Sequence, residues 1–359
     1  MKYGQKIKIL MLCLLLVTQS LLSVSCSGGK QSDVHVFYYN YSDTYVTGVR
    51  SALDGQWLER SVTYQNYDGN NNQTTQTEQV STAITKGAKA IFVNLVNTGS
   101  ADAAGAIVSA AKGAGIPVVF FNREVPDEVV SSYTGCAFVG TDAAEAGHLQ
   151  GEMIGEYLLA HYDEVDLNGD GVISYILFKG EEGNNEAIFR TKYAVEDANR
   201  LLREGGKPEM AFYDPSNKNG YLVDQSGAWS ATAANQYMTT ALASYNDAGG
   251  NMIELVICNN DGMAEGAITA LNTVGYNQGG EDGRRIPVFG VDATDAARNL
   301  IGNGKMTGTI KQDALGMARV LALLADNALS GKALLTGTED YPVDDGVAKI
   351  RIPYEKYLG

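Results

Sequence analysis

Short runs of apolar, β-branched or aromatic residues recur along the chain, with longer amphipathic stretches between them. Runs at Val34–Tyr39, Ala90–Asn94, Pro117–Phe121, Ala137–Val139, Ile173–Phe178, Ile253–Cys258, Pro287–Val291 and Thr307–Ile310 predict strands. Between them Thr77–Lys86, Ala101–Gly113, Ala143–His161 and Ala187–Arg203 carry apolar residues at helical spacing. Near-continuous apolar strands alternating with helices predict parallel sheets covered on both faces. A single sheet holding them all would be unusually wide, so an α/β fold of two doubly wound parallel-sheet lobes is the economical arrangement. The Asn/Gln/Thr-rich stretch Gln65–Gln79 reads as a polar loop between a strand and an amphipathic helix.

The N-terminus follows a different pattern. Lys2, Lys6 and Lys8 precede the apolar run Ile9–Val17, which has signal-peptide size and is too short to span a bilayer. The run ends in Leu22-Ser23-Val24-Ser25-Cys26, and a lone cysteine after small residues resembles a bacterial lipoprotein signal. Residues 1–25 then form the signal peptide, Cys26 becomes the lipidated first residue, and 26–32 is a flexible tether. The alternative is a soluble secreted protein cut nearby.

Composition narrows the function. Lys+Arg total 27 against 42 Asp+Glu, a net charge of −15, which excludes a nucleic-acid binder built on clustered cations. Three histidines (His35, His148, His161) and four cysteines leave little for a His-rich metal centre or a disulfide framework. Cys13 leaves with the signal, and Cys136 and Cys258 sit in apolar strand-like runs that fit buried free thiols.

The residues that follow the strands carry the chemistry. In doubly wound folds ligands bind beyond the carboxyl ends of strands. Those positions hold Asp43 and Tyr45, Asn94, Asn122-Arg123-Glu124, Asn184-Asn185-Glu186 with Arg190, Asn259-Asn260-Asp261, Asp292, and Gln312-Asp313. Amides, carboxylates and guanidinium groups match the paired donors and acceptors of vicinal hydroxyls. Taken singly, each also fits a turn or a helix N-cap. Their recurrence at successive strand ends points to a polar small-molecule site. Tyr45 and Trp229 could cover the apolar faces of a sugar ring, and packing under the following helix would explain Trp229 equally well.

Asp166-Leu167-Asn168-Gly169-Asp170-Gly171-Val172-Ile173-Ser174 matches the opening of an EF-hand calcium loop. Asp166, Asn168, Asp170, the Val172 carbonyl and Ser174 fall at ligand positions, and Gly171 at the turn. Position 12, normally Glu, is Leu177, so a carboxylate comes from elsewhere or the site is weak.

Together these residues resemble the bacterial periplasmic galactose/glucose-binding proteins, the substrate-capturing components of sugar ABC transporters. The resemblance runs from Val34 to Tyr354 and rests on several motifs. These are Tyr41-Ser42-Asp43-Thr44-Tyr45, Asn94-Leu95-Val96, Pro117–Glu124, Val139-Gly140-Thr141-Asp142, Ile257–Met263, Pro287–Ala293, and the calcium segment before Lys179-Gly180-Glu181. It implies a type I periplasmic binding protein fold, two lobes joined by a three-segment hinge. An N-terminal lobe would take 33–120 and 313–344, and a C-terminal lobe with the calcium site would take 121–312 and 345–359. Asp43, Asn94, Arg190, Asn260 and Asp292 match the family's hydrogen-bonding positions. Trp229 matches its stacking aromatic, and Tyr45 replaces the usual Phe on the other face. Glu254 matches the distant carboxylate that completes the calcium site. Asn184, Glu186 and Gln312 stand where the family has His, Asp and Asn, and Ser174 is shorter than the usual Gln.

The implied function is capture of one monosaccharide, glucose or galactose, by hinge closure, and its delivery to an ABC permease; the alternative is a different monosaccharide, selected by the altered reach of Asn184, Glu186 and Gln312. A chemoreceptor is a second reader of the same closed surface. The expected protein is a monomer in the periplasm or on the outer face of the cytoplasmic membrane. It binds no nucleic acid and touches the membrane only through the lipid on Cys26. The rival is a carbohydrate-active enzyme using Asp43, Glu186 or Asp292 as acid and base. No nucleophile elbow, Walker loop or HExxH motif is present, so the expectation is no catalysis.

Overall fold

The computed structural model describes residues 32–280 and 283–359. The expected signal peptide, Cys26 and all but the last residue of the tether lie outside the described residues. Within them, no helix is long and apolar enough to cross a membrane.

Alternate apolar residues on the strands build two sheets, each with apolar residues on both faces. In β1 (Val34–Tyr38), Val34, Val36 and Tyr38 face one core while Phe37 faces another. In β3 (Ala90–Val93), Ala90 and Phe92 alternate in the same way with Ile91 and Val93. The first sheet adds β2 (Tyr64–Asp68), β4 (Val118–Phe121), β5 (Cys136–Gly140) and β12 (Lys349–Arg351), in the order β12-β5-β4-β3-β1-β2. Every pairing in it is parallel. Helices α1 (Thr44–Arg60) and α10 (Ala314–Ser330) cover one face, with Trp57 and Leu53 fully buried there. Burial of a side chain such as Leu53 contributes about 1.5–3 kcal/mol. Helices α2 (Gln73–Thr85), α3 (Ala101–Ala114) and α4 (Asp127–Ser131) cover the other face.

The second sheet contains β6 (Ser174–Lys179), β7 (Ala211–Phe212), β9 (Leu255–Cys258), β10 (Val288–Asp292), β11 (Gly308–Gln312) and β13 (Tyr354–Tyr357). Its order is β13-β11-β10-β9-β6-β7, and β8 (Leu222–Val223) pairs with β6. Helices α5 (Ala143–Val165) and α6 (Asn185–Glu204) lie on one face. Helices α7 (Ala231–Leu242), α8 (Asp261–Thr273) and α9 (Asp295–Gly302) lie on the other.

Three expectations need correction. The lobe boundaries at 120/121 and 344/345 cut through the first sheet: β5 pairs with β4, and β12 pairs with β5. The chain instead crosses between β5 and α5, after β11 and between β12 and β13, near Thr141, Asp313 and Pro353. The second sheet is not wholly parallel, because β13 returns antiparallel along β11. Lastly, Gln65–Gln79 is not simply a loop. It holds most of β2 and the start of α2. As an edge strand β2 needs few apolar residues; its Tyr67 stacks on Phe37 at 4.7 Å.

Candidate functional site

Both sheets reverse their winding at one point, between β1 and β3 in the first and between β6 and β9 in the second. Such points leave a crevice at the strands' carboxyl ends, and here the two crevices face each other across a cavity. One lobe lines it with Tyr39, Asp43, Tyr45, Asn122 and Arg123, the other with Asn184, Glu186, Arg190, Trp229, Asn260, Asp292 and Gln312.

The helix-cap and ligand-site readings of these residues prove compatible. Asp43 caps α1 by accepting from Val46 N–H at 2.8 Å, and its other oxygen accepts from Tyr39 Oη at 2.5 Å. Asn184 caps α6 through Ala187 N–H, and Asn260 caps α8 through Met263 N–H. Each cap fixes a side chain at a helix N-terminus while the residue still lines the cavity. Glu186 and Arg190, four apart on α6, share its inward face.

Arg190 is the centre of the polar network. Its Nη1 donates to Asn259 O at 2.8 Å, and Nη2 donates to Gln312 Oε1 at 3.2 Å and Tyr354 Oη at 2.8 Å. Tyr354 Oη is in turn 2.8 Å from Thr141 Oγ1, at the first crossing. Burial pushes the Asp292 carboxyl well above its usual range. Asp261 and Asp43 push it further, while Arg190 opposes them. Burial likewise raises Glu186, with Arg190 and Arg123 opposing.

Three cavity-lining residues have left-handed backbone. Asn122, Trp229 and Asp292 have φ of 63°, 55° and 127°, conformations that L residues rarely adopt. Such strain costs on the order of 1–3 kcal/mol per residue and gathers at functional sites. The Arg123 N–H donates to Phe121 O at 2.8 Å, so Asn122 is the centre of a γ-turn. Trp229 lies so close to Gly180 that a Cβ there would sit 2.0 Å from its ring.

One expected residue is displaced. Asn94 does not line the cavity; its amide donates to Phe121 O and to Asn122 Oδ1, and its oxygen accepts from Tyr39 N–H. Asn122, one strand further along the sheet, takes the place expected for it. Asn122 and Arg123 were legible as strand-end residues, whereas Tyr39, inside an apolar run, gave no signal.

The calcium-type loop is stitched to itself and to Glu254. Asp166 accepts from the N–H groups of Asp170 and Gly171, and Asp170 accepts from Val172 N–H. Glu254 reaches in from the segment before β9 to accept from the N–H groups of Leu167, Asn168 and Ser174. Burial raises its carboxyl, and Asp166 adds to the rise. Among the described residues no three His, Cys, Asp or Glu side chains converge on one point. Cys136 and Cys258 are buried free thiols.

Residues 34–333 match the family described as periplasmic binding protein domain. The D-galactose/methyl-galactoside binding periplasmic protein MglB of Haemophilus influenzae is 34% identical over 333 residues, covering 92% of this chain and 91% of that protein. An ABC transporter solute binding protein from Bacillus halodurans, solved with bound myo-inositol, is 27% identical with a TM-score of 0.68. That match covers 92% of this chain and 96% of that one. Another from Clostridium phytofermentans, solved with β-D-glucose, shares the fold at 21% identity and a TM-score of 0.70, covering 90% of this chain and 93% of that one.

Proposed function

The chain belongs to the periplasmic binding protein family as an exported, non-catalytic, sugar-binding component of ABC transport, and we propose that its sugar is a hexose, D-galactose or D-glucose, held between the lobes. One observation carries this reading. Four cavity-lining side chains have a buried polar atom with no hydrogen-bond partner among the described residues: Arg123 Nη1, Glu186 Oε2, Arg190 Nε and Gln312 Nε2. A buried polar group left unpaired costs about 1–3 kcal/mol, so each such atom needs a reason. A ring carrying several hydroxyls answers all four, because every hydroxyl both donates and accepts. Asp43, Asn122, Asn184, Asn260 and Asp292 surround the same space, and Tyr45 and Trp229 supply aromatic faces for the C–H surfaces of the ring. The galactose-binding relative supports a hexose; the inositol-bound one makes a cyclic polyol the natural competitor.

Binding works by population shift. The unpaired atoms come from both lobes, so a sugar satisfies them together only when the cleft is closed, and it stabilises that state differentially. The closed molecule is then the form a permease, or a chemoreceptor, reads.

Calcium belongs to the same reading. Asp166, Asn168, Asp170, Ser174, the Val172 carbonyl and Glu254 offer the all-oxygen donor set that calcium prefers. The fit is supported by Glu254, a buried carboxylate held on the loop close enough to Asp166 for the two charges to repel. A divalent cation would remove that repulsion. Cys26 would carry the lipid anchor, and a Cys26→Ser variant released from the membrane fraction would agree with that.

The test is titration with D-galactose, D-glucose, myo-inositol and a pentose panel, followed by tryptophan fluorescence and calorimetry. A saturable one-to-one response to a hexose, with the sugar recovered unchanged, agrees with the proposal. A response confined to inositol or to a pentose contradicts it.

A further inference from the structure

One cationic side chain at the cavity wall, Arg123, ends a strand but lies outside the hydrogen-bonding positions that the family resemblance implied. The γ-turn after β4 brings Arg123 inward, and its side chain is only 5% exposed. Its Nη2 donates to Glu181 Oε2, across the cleft on the loop after β6. Its guanidinium lies 4.3 Å over the ring of Tyr39, whose hydroxyl donates to Asp43. Nη1 has no partner among the described residues, and Arg123 lines the cavity. Beyond it, Trp229 Nε1 lies 3.5 Å from the Glu181 carboxylate. One guanidinium therefore ties the lobes together with one nitrogen and leaves the other unpaired in the wall.

We propose that Arg123 contacts the sugar through Nη1 and that its ion pair with Glu181 is the latch that retains the sugar in the closed cleft. This rests on the hexose reading. The guanidinium is a rigid planar fork, so fixing Nη2 on Glu181 also fixes the direction of Nη1. When the lobes part, Glu181 withdraws and that direction is lost. Of the neighbouring inter-lobe bonds, Asn71 Nδ2 to Ser226 O at 2.6 Å and Asn184 Nδ2 to Thr98 Oγ1 at 3.2 Å join neutral groups, and Glu124 N–H to Glu186 Oε1 at 3.1 Å pairs a carboxyl with a backbone amide rather than with a cation. The Arg123–Glu181 contact is a charged one sheltered from solvent, and breaking such a pair acts chiefly on the dissociation rate.

The experiment measures association and dissociation of D-galactose and D-glucose by stopped-flow fluorescence for wild type, Glu181→Gln, Arg123→Lys and Arg123→Met. Small-angle scattering is recorded with and without sugar. Glu181→Gln should speed dissociation about tenfold while leaving association within about twofold. Arg123→Met should cost more affinity than Glu181→Gln, and Arg123→Lys, which keeps the charge without the fork, should fall between them. Equal losses for Glu181→Gln and Arg123→Met would remove the sugar contact. Wild-type dissociation in Glu181→Gln would remove the latch. If wild type binds neither hexose, the hexose reading fails separately. The latch is then read from the sugar-free protein, which should be more compact in wild type than in Glu181→Gln; equal radii overturn it.

Discussion

Asn94 stands directly behind Asn122, donating to its Oδ1 at 3.0 Å from the end of the neighbouring strand. The roles of the two amides are distinct, since Asn122 lines the cavity and Asn94 holds it there while also binding Phe121 O and Tyr39 N–H. Their alanine variants should therefore differ in kind. Asn122→Ala should weaken sugar binding by about tenfold, one good hydrogen bond, with little loss of melting temperature. Asn94→Ala strands a buried N–H and should cost about 2 kcal/mol of stability as well. Calorimetry of both unfolding and binding distinguishes them, and two identical profiles would contradict this separation of roles.

Arg190 is the counter-charge for Asp292 and Glu186 and the hub for Gln312 and Tyr354. Arg190→Met should abolish detectable hexose binding. It should also destabilise the fold by about 3 kcal/mol, because carboxylates are left buried without a partner. The deficit should be larger at pH 8 than at pH 5, since protons replace the missing guanidinium at low pH. Denaturant melts at the two pH values check this. A deficit independent of pH would mean that Arg190 acts through packing alone.

Asp261 lies behind the cavity, accepting from Thr309 Oγ1 at 2.6 Å and from Thr294 N–H at 2.8 Å. Burial outweighs these bonds and pushes its carboxyl from 3.8 up to about 7. A raised acid binds its proton more tightly in the folded state. Its contribution to stability is thus complete below the unfolded value and is lost as pH rises through about 7. The melting temperature of Asp261→Asn, taken relative to wild type, should climb between pH 4 and pH 8. A constant offset would show that Asp261 does not retain its proton.

Chelation tests the calcium proposal. The loop and Glu254 lie in the second lobe and share no residue with the cavity. Removing calcium should lower the melting temperature by several degrees and change the hexose Kd by less than about threefold. Glu254→Gln should abolish the response to added calcium. A chelator without thermal effect on wild type would leave the loop as a self-capped turn.

The sequence carried the alternation of strands and helices because both sheets are buried on both faces and their strands read as apolar runs. It hid β2, where the sheet edge lets Tyr64-Gln65-Asn66-Tyr67-Asp68 pair through backbone alone. It hid β12 as well, a short strand whose pairing with β5 moved the lobe boundary. Most cavity-lining residues were legible because strand ends are where ligands meet a doubly wound sheet, and their amides double as helix caps. Which amide faces inward was not legible. Asn94 and Asn122 both end strands, and the choice between them is made by a γ-turn that no local pattern announces. Tyr39 was hidden for a related reason, since it follows β1 as one more aromatic in an apolar run.

In the proposed complex, hexose hydroxyls satisfy polar atoms the protein leaves unpaired between its lobes. A crystal structure of the protein grown with D-galactose tests it most directly. One sugar should occupy the cleft, its hydroxyls within hydrogen-bond distance of Arg190 Nε, Gln312 Nε2, Glu186 Oε2 and Arg123 Nη1, and its ring between Tyr45 and Trp229. A sugar bound elsewhere, or a closed cleft in which water alone meets those atoms, would contradict it.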